Sequence, residues 1–259
     1  MARILITGST DGIGLRTAQV LAEKGHEVIV HGRSPGRVAA ARTAVGPAAV
    51  AGVVADFTDL DQVAELASQT RALGITVLIN NAGVYCRQRT ETIDGHEQMW
   101  QVNYLAASLL TQLTMAQLPR GGRVVTVTSS IHQRGEIDLV DPDFRTKRWH
   151  HFKAHAQTKL AGLMMTLESA RRNPDVTSLA VHPGMVSTKL LTEGMKVPGT
   201  DTLDQAAATS VWAATASGVR SGSYLAHERL AQPCPNALDE VVAADLHDHT
   251  ITSLGLAPA

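Results

Sequence analysis

Apolar positions along this chain fall in short continuous runs, and longer stretches of helical spacing separate them. Residues 3–7 form the first run, which ends at Gly8; Ile13, Thr17, Val20 and Leu21 then recur at helical intervals. The alternation repeats to the end. Strands are predicted at residues 27–31, 49–55, 77–80, 123–128, 177–181 and 223–226, and helices at 35–45, 59–73, 94–118, 153–172 and 203–216. Pro119 with Gly121-Gly122 stops one long helix, and Asn173-Pro174 stops the other. Several strands are nearly unbroken Val, Ile and Leu, the pattern of strands covered on both faces in a parallel sheet. The strand–helix order says the same, so the expected fold is a doubly wound α/β sheet of about seven strands. No repeat, low-complexity tract or composition shift divides the chain, which predicts one domain over residues 1–259. Gly, Ala and Pro at residues 254–259 predict a frayed terminus.

Composition narrows the partners. Hydrophobic residues make up 44% of the 259 residues, enough for a core without disulfides or metal. Lys and Arg number 23 against 24 Asp and Glu, so nothing attracts nucleic acid or an anionic membrane in general. Cys86 and Cys234 are the two cysteines, too few for a disulfide framework or a Cys-rich metal site. No apolar run approaches the roughly 18 residues that cross a bilayer. A strand starting at residue 3 leaves no room for a signal peptide, and the expected location is the cytoplasm.

Chemistry begins at Thr7-Gly8-Ser9-Thr10-Asp11-Gly12-Ile13-Gly14, between the first strand and the first helix. Glycines there permit a tight turn and bring backbone amides to a pyrophosphate at a helix N-terminus. Further motifs follow in order. Asp56 stands after the third strand and Asn80-Asn81-Ala82-Gly83 after the fourth. Asn103 lies in a long helix, Thr128-Ser129-Ser130 ends the fifth strand, and Pro183-Gly184 with Val186 and Thr188 follows the sixth. This series resembles the short-chain dehydrogenase/reductase family over about residues 2–226. The resemblance implies a Rossmann-like fold whose glycine loop, Gly8 to Gly14, holds a nicotinamide dinucleotide. Asp56, beside Phe57, would meet the adenine. Asn81, Ala82 and Gly83 would border the cofactor, and Pro183, Gly184, Val186 and Thr188 would lie at the nicotinamide. Ser130 takes the catalytic serine position, Lys159 would bind the nicotinamide ribose, and Asn103 would anchor a water relay. The two long helices resemble those that pair family subunits into homodimers or homotetramers.

The second strand selects the cofactor. A ribose-binding acid is expected about 20 residues past the glycines. Here the strand ends His31-Gly32-Arg33-Ser34, and Arg37 follows one turn later. A guanidinium fits a phosphate in charge and fork geometry, and Gly32 removes the anion that would repel it, so NADP(H) is expected.

One position departs from the family. Its acid/base is a tyrosine four residues before the lysine, on the same helix face. Here Lys159 is present but residue 155 is histidine, and Tyr85, Tyr104 and Tyr224 all lie far from this segment. Imidazole holds or releases a proton near neutrality, but it reaches roughly 2 Å less than a phenol, and a misplacement of about 1 Å can cost around a hundredfold. Lys159 should lower its pKa and favour the neutral ring, a passable base and a poor acid. Water or an acidic hydroxyl of the substrate could then complete a carbonyl reduction.

Residues 131–152 form a long polar connection that resembles the insertion of retinol-dehydrogenase-like members. Residues 186–198 read as a mobile apolar lid. Tyr85, His132, Met185 and Leu190 are the candidate substrate contacts, with Tyr85 the alternative proton donor. Trp149-His150-His151 reads as part of a lid, His182 as a loop filler, and His247-Asp248-His249 as a weak metal signal; no metal is expected. The reading is an NADP(H)-dependent oxidoreductase, with His155, Ser130, Lys159 and Asn103 in its catalytic set. Its small-molecule substrate is a carbonyl or secondary alcohol, mostly apolar, polycyclic or quinone-like. The rivals are a non-redox dehydratase, isomerase or cyclase using His155 as base, and an inactive NADPH-binding sensor.

Overall fold

Strands β1 (Arg3–Ile6), β2 (Glu27–Gly32), β3 (Ala49–Val54), β4 (Val77–Asn80), β5 (Arg123–Val127), β6 (Thr177–His182), β7 (Ser223–Ala226) and β8 (Arg229–Leu230) form one sheet. The structure, a computed structural model, describes residues 1–257. Strand order is β3-β2-β1-β4-β5-β6-β7-β8, and every pairing is parallel except β7 with β8. The eighth strand was not expected: it is two residues long and reached through His227 and Glu228, both at positive φ.

Helices cover both faces. On one side Ile4, Ile6, Val28, Val30, Val77 and Ile79 pack on α1 (Gly12–Glu23), α2 (Pro35–Val45) and α6 (Leu203–Thr215). Leu5, Ile29 and Leu78 point the other way, onto α3 (Leu60–Leu73) and the long helix α4 (residues 98–115). Successive strand residues face opposite sides, so a strand buried on both faces must be apolar throughout. Helix α4 starts at Gln98, passes through a π-helical turn at Gln101–Leu105 and continues over Ala106–Met115. It is shorter than the expected 94–118 because Glu97 caps it, accepting from the Trp100 N–H. Helix α5 (His151–Arg172) is buried along most of its length.

A seventh helix, α7 (Glu240–Ser253), was missed. Its β-branched residues and its Asp and His give little helical periodicity. The Asp239 carboxylate caps it by accepting from the Val241 and Val242 N–H groups. Ala243 and Leu246 pack beside Tyr104 and Met164, and the Tyr104 hydroxyl lies 2.6 Å from Thr250 Oγ1. The chain's own C-terminal helix thus packs against both α4 and α5. Leu246→Ala should cost about 2–5 kcal/mol of unfolding free energy in urea titration, because a fully buried leucine leaves a cavity. His247, Asp248 and His249 lie on this helix, and no metal-type cluster occurs among the described residues. Leu254 and Leu256 pack on the core, against the expected fraying, while Pro258 and Ala259 lie outside the described residues. No described helix is long and apolar enough to cross a membrane.

The connections on the two sides of the sheet diverge between β1 and β4, which opens a crevice at the C-terminal ends of the strands. Everything below lies around that crevice.

Candidate active site

The glycine turn is fixed by sterics and by Asn81. Gly8 has φ +64°, and a Cβ there would lie 2.8 Å from Ala82 Cα; one at Gly14 would lie 2.5 Å from Gly8 O. The Thr7 hydroxyl accepts from the Asn81 and Ala82 N–H groups, and the Asn81 amide donates back to Thr7 O at 2.8 Å and Gly8 O at 3.2 Å. Asp11 caps α1 by accepting from the Gly12 N–H.

At the exit of β2, Arg33, Ser34 and Arg37 line a cavity with Asp56 and Phe57. Pro35 has no N–H to offer, but the Ser34 hydroxyl makes no capping bond, so the remaining N–H groups of the first turn of α2 stay free for an anion. Arg33 makes no ion pair among the described residues, whereas Arg37 and Lys189 both donate to Asp11 Oδ2, at 3.1 and 3.0 Å. These are exposed pairs, weak enough for an incoming phosphate to displace. An acid at Gly32 would collide with Thr10, whose Cγ2 lies 2.5 Å from the position of a Cβ.

The other end of the same cavity holds Ser130, His155 and Lys159. Ser130 opens the short 3-10 turn after β5 and is exposed to the crevice. His155 and Lys159 share one face of α5, and the Thr128 hydroxyl ties that turn to β5 by donating to Lys159 O. Lys159 Nζ donates to Val127 O at 3.1 Å, and burial pulls its pKa down to about 8. His155 is 3% exposed; burial first, and the Lys159 charge second, hold its imidazole at about 3. Its Nδ1 is sealed without a partner, which leaves Nε2 as the nitrogen able to meet the cavity.

Some expected contacts lie elsewhere. Both donors of the Asn103 amide are engaged, Nδ2 donating to Val84 O and Thr158 Oγ1, and Oδ1 accepts from Val84 N. It clamps the Asn80–Val84 turn from behind the cavity lining, and one lone pair of Oδ1 is all its side chain has left for a water. His132 is 0% exposed and turned away from the cavity, with Nδ1 donating to Ser129 O and Nε2 accepting from Cys234 N. Tyr85 is also outside the cavity wall: its hydroxyl lies 2.6 Å from His151 Nδ1 and its ring packs edge-on against His155. Met185 and Leu190 do line the cavity, as do Leu191 and Met195 of the expected apolar lid segment, joined by Gln98 and Val102, which carry no signal in the sequence.

The insertion after Ser130 is pinned in place. Asp143 accepts from the Glu97 N–H and pairs with His96, while Asp141 takes backbone N–H groups from Arg145, Thr146 and Lys147. These bonds outweigh burial and hold both carboxyls below their ordinary range. His150 caps α5 and His151 holds Tyr85, so the Trp149–His151 stretch closes the helix start and is not a lid. Residues 186–198 contain a π-helical turn, Leu190–Met195, tied back by Arg87 Nη1 donating to Gly194 O. His182, expected in a loop, ends β6 and is buried.

The cavity measures about 730 Å³ and runs unbroken from the α2 N-terminus past the glycine turn to Ser130 and His155. A dinucleotide fits this donor set: glycines where a Cβ would collide, two helix N-termini, and basic side chains at one end.

The family profile described as short chain dehydrogenase matches residues 2–196. Among curated proteins, the chain is 36% identical to the "Putative daunorubicin C-13 ketoreductase DnrU" of Streptomyces sp. (strain C5). That match covers 97% of this chain and 92% of that protein. It is 31% identical to Retinol dehydrogenase 13 of Homo sapiens, covering 98% and 84% of the two chains. Among solved structures, an uncharacterized protein from Mycobacterium paratuberculosis superimposes with a TM-score of 0.88 at 30% identity. There the coverage is 100% of this chain and 96% of the other.

Proposed function

Because this chain belongs to the short-chain dehydrogenase family, we propose that it transfers hydride between NADP(H) and the carbonyl or secondary alcohol of a bulky, mostly apolar molecule. The observation that carries this reading is the single cavity joining Arg33, Ser34 and Arg37 to Ser130, His155 and Lys159. When bound, the nicotinamide supplies the hydride chemistry.

The protein's own groups do the rest. Gly8, Ser9, Thr10, Asp11, Gly12, Ile13 and Gly14 form the pyrophosphate turn, with Asn81, Ala82 and Gly83 beneath it. Asp56 and Phe57 border the adenine. Lys159 holds the nicotinamide ribose, while Pro183, Gly184, Val186 and Thr188 border the nicotinamide itself. Ser130 donates its hydroxyl proton in a hydrogen bond to the substrate oxygen. His155 works as a neutral ring. With its proton on Nε2 it donates to a carbonyl oxygen, as a neutral imidazole can polarise a carbonyl. With its proton on Nδ1 it accepts from an alcohol. Nothing else holds Nδ1, so the substrate sets the tautomer. The imidazolium is disfavoured, so in alcohol oxidation a proton taken by the ring passes on to water, and in carbonyl reduction water or an acidic hydroxyl of the substrate supplies the proton that the alkoxide takes up.

The apolar walls at Val102, Met185, Leu190, Leu191 and Met195 suit a polycyclic ketone or quinone. Similarity to a protein named as a daunorubicin ketoreductase supports the same class. The test is NADPH oxidation with a panel of quinones and polycyclic ketones, together with NADP+ reduction by the matching alcohols. Conversion without net cofactor oxidation would point to a non-redox enzyme. Tight NADPH binding with no conversion in either direction would leave a sensor.

NADP(H) should bind at least tenfold more tightly than NAD(H), about 1.4 kcal/mol. Arg33→Ala should weaken NADPH in a fluorescence titration and leave NADH nearly unchanged. Equal losses for both would show that Arg33 does not read the 2′-phosphate.

A further inference from the structure

We infer that His31, read from the sequence only as the end of a strand, is the positioning residue that aims the glycine turn at the cofactor. The inference rests on the dinucleotide reading above. His31 is 3% exposed on β2 and lines the cofactor end of the cavity. Its Nδ1 lies 3.0 Å from Gly8 N and its Nε2 lies 3.1 Å from Ala55 O. A backbone N–H can only donate and a carbonyl can only accept. Nδ1 is therefore the bare acceptor and Nε2 carries the proton, a tautomer fixed from both sides.

The backbone of the same residue repeats the link. His31 N donates to Ser9 Oγ at 2.9 Å, Ser9 N donates to His31 O at 2.9 Å, and Ser9 Oγ donates to Ile6 O at 2.8 Å. The ring also packs against Phe57, with centroids 4.7 Å apart. One residue thus joins the Gly8–Ser9 turn, where a pyrophosphate meets backbone amides, to the Ala55–Phe57 exit of β3 under the adenine. Taking up the Gly8 N–H fixes the plane of that peptide, and with it the direction of the amides that follow. The ring must stay neutral to accept that proton, and burial does hold it so, at about 4. A cation there would also turn a proton toward Gly8 N–H.

Two amide side chains separate this role from plain core packing. In His31→Asn the side-chain oxygen falls near the place of Nδ1, so the bond from Gly8 is kept and the one to Ala55 is lost. In His31→Gln the amide reaches the place of Nε2, so the Ala55 bond is kept and the Gly8 bond is lost. Each variant sacrifices one buried hydrogen bond, and their melting temperatures should match. NADPH Kd, read by fluorescence titration, should rise about tenfold or more in His31→Gln and stay within about threefold of the parent in His31→Asn. KM for NADPH should follow Kd, while kcat at saturating NADPH should hardly move. Equal Kd in the two variants, or a Kd that only follows the melting temperature, would overturn the inference. A parent that does not bind NADPH would instead overturn the dinucleotide reading beneath it.

Discussion

Replacing His155 by alanine or phenylalanine is expected to slow turnover by about 10² to 10⁴ while NADPH affinity stays within a few-fold. The ring lines the cavity beside Lys159, and its sealed Nδ1 leaves Nε2 as the one nitrogen that can serve a substrate. Phenylalanine keeps the edge-on packing against Tyr85, centroids 5.1 Å apart in the parent, and removes only the nitrogens. The pH profile adds a second signature. With the imidazole held at about 3, no inflection between pH 5 and 7 should belong to His155. An inflection near pH 8 should appear instead, as Lys159 loses the charge that holds the ribose, and His155→Phe should retain it in its residual rate.

His155→Tyr sharpens the same test. It restores the family's tyrosine one turn before an intact Lys159, and should let the variant reduce simple ketones that the parent handles poorly. A parent indifferent to His155→Phe would move the proton to a substrate hydroxyl or to water. Tyr85→Phe would be the next variant to assay. The Tyr85 hydroxyl, bound to His151, is however already committed away from the cavity.

The parallel sheet and the glycine turn were legible because their signals are local: unbroken apolar runs, and glycines at fixed offsets from a strand end. Ser130, His155 and Lys159 were legible because they share one strand end and one helix turn. What escaped depends on contacts between distant segments. The α7 helix has little periodicity of its own and is helical because Leu246 and Thr250 find α4 and α5. Asn103 and His132 carry the right chemistry at plausible spacing, and only the fold shows their polar atoms already taken, by Val84 and Thr158 and by Ser129 and Cys234. Asp141 and Asp143, in the long polar connection, bind the loop's own backbone and the 96–97 segment, contacts that no spacing in the sequence reveals. Lys159 was a visible influence on His155, but burial, which no spacing reveals, is the larger one.

Unfolding free energy should fall steeply as pH drops from about 6.5 toward 4, and His155 should carry a substantial share of that slope. His31, His155 and His182 are all buried and held neutral in the folded chain, at about 4, 3 and 4 respectively. In the unfolded chain each titrates near 6.5, so below that value the unfolded state binds more protons. Stability is therefore independent of these groups above about pH 7. It then declines by about 1.4 kcal/mol per pH unit for each histidine until its folded pKa is reached. The Asp141 and Asp143 carboxyls, held low by their hydrogen bonds, add their own loss only at lower pH. His26, His132, His151 and His247, whose pKa values burial also lowers, add to the slope, while Glu97 works in the opposite sense, because burial raises its pKa and the folded state takes up its proton early. Urea titrations at pH 7, 6 and 5 measure it. His155→Phe removes both the charging cost and the unpartnered Nδ1, so this variant should resist acid better than the parent while losing nearly all turnover. A slope unchanged by His155→Phe would mean that the ring already charges in the folded chain, and that the neutral imidazole assigned to the active site is wrong.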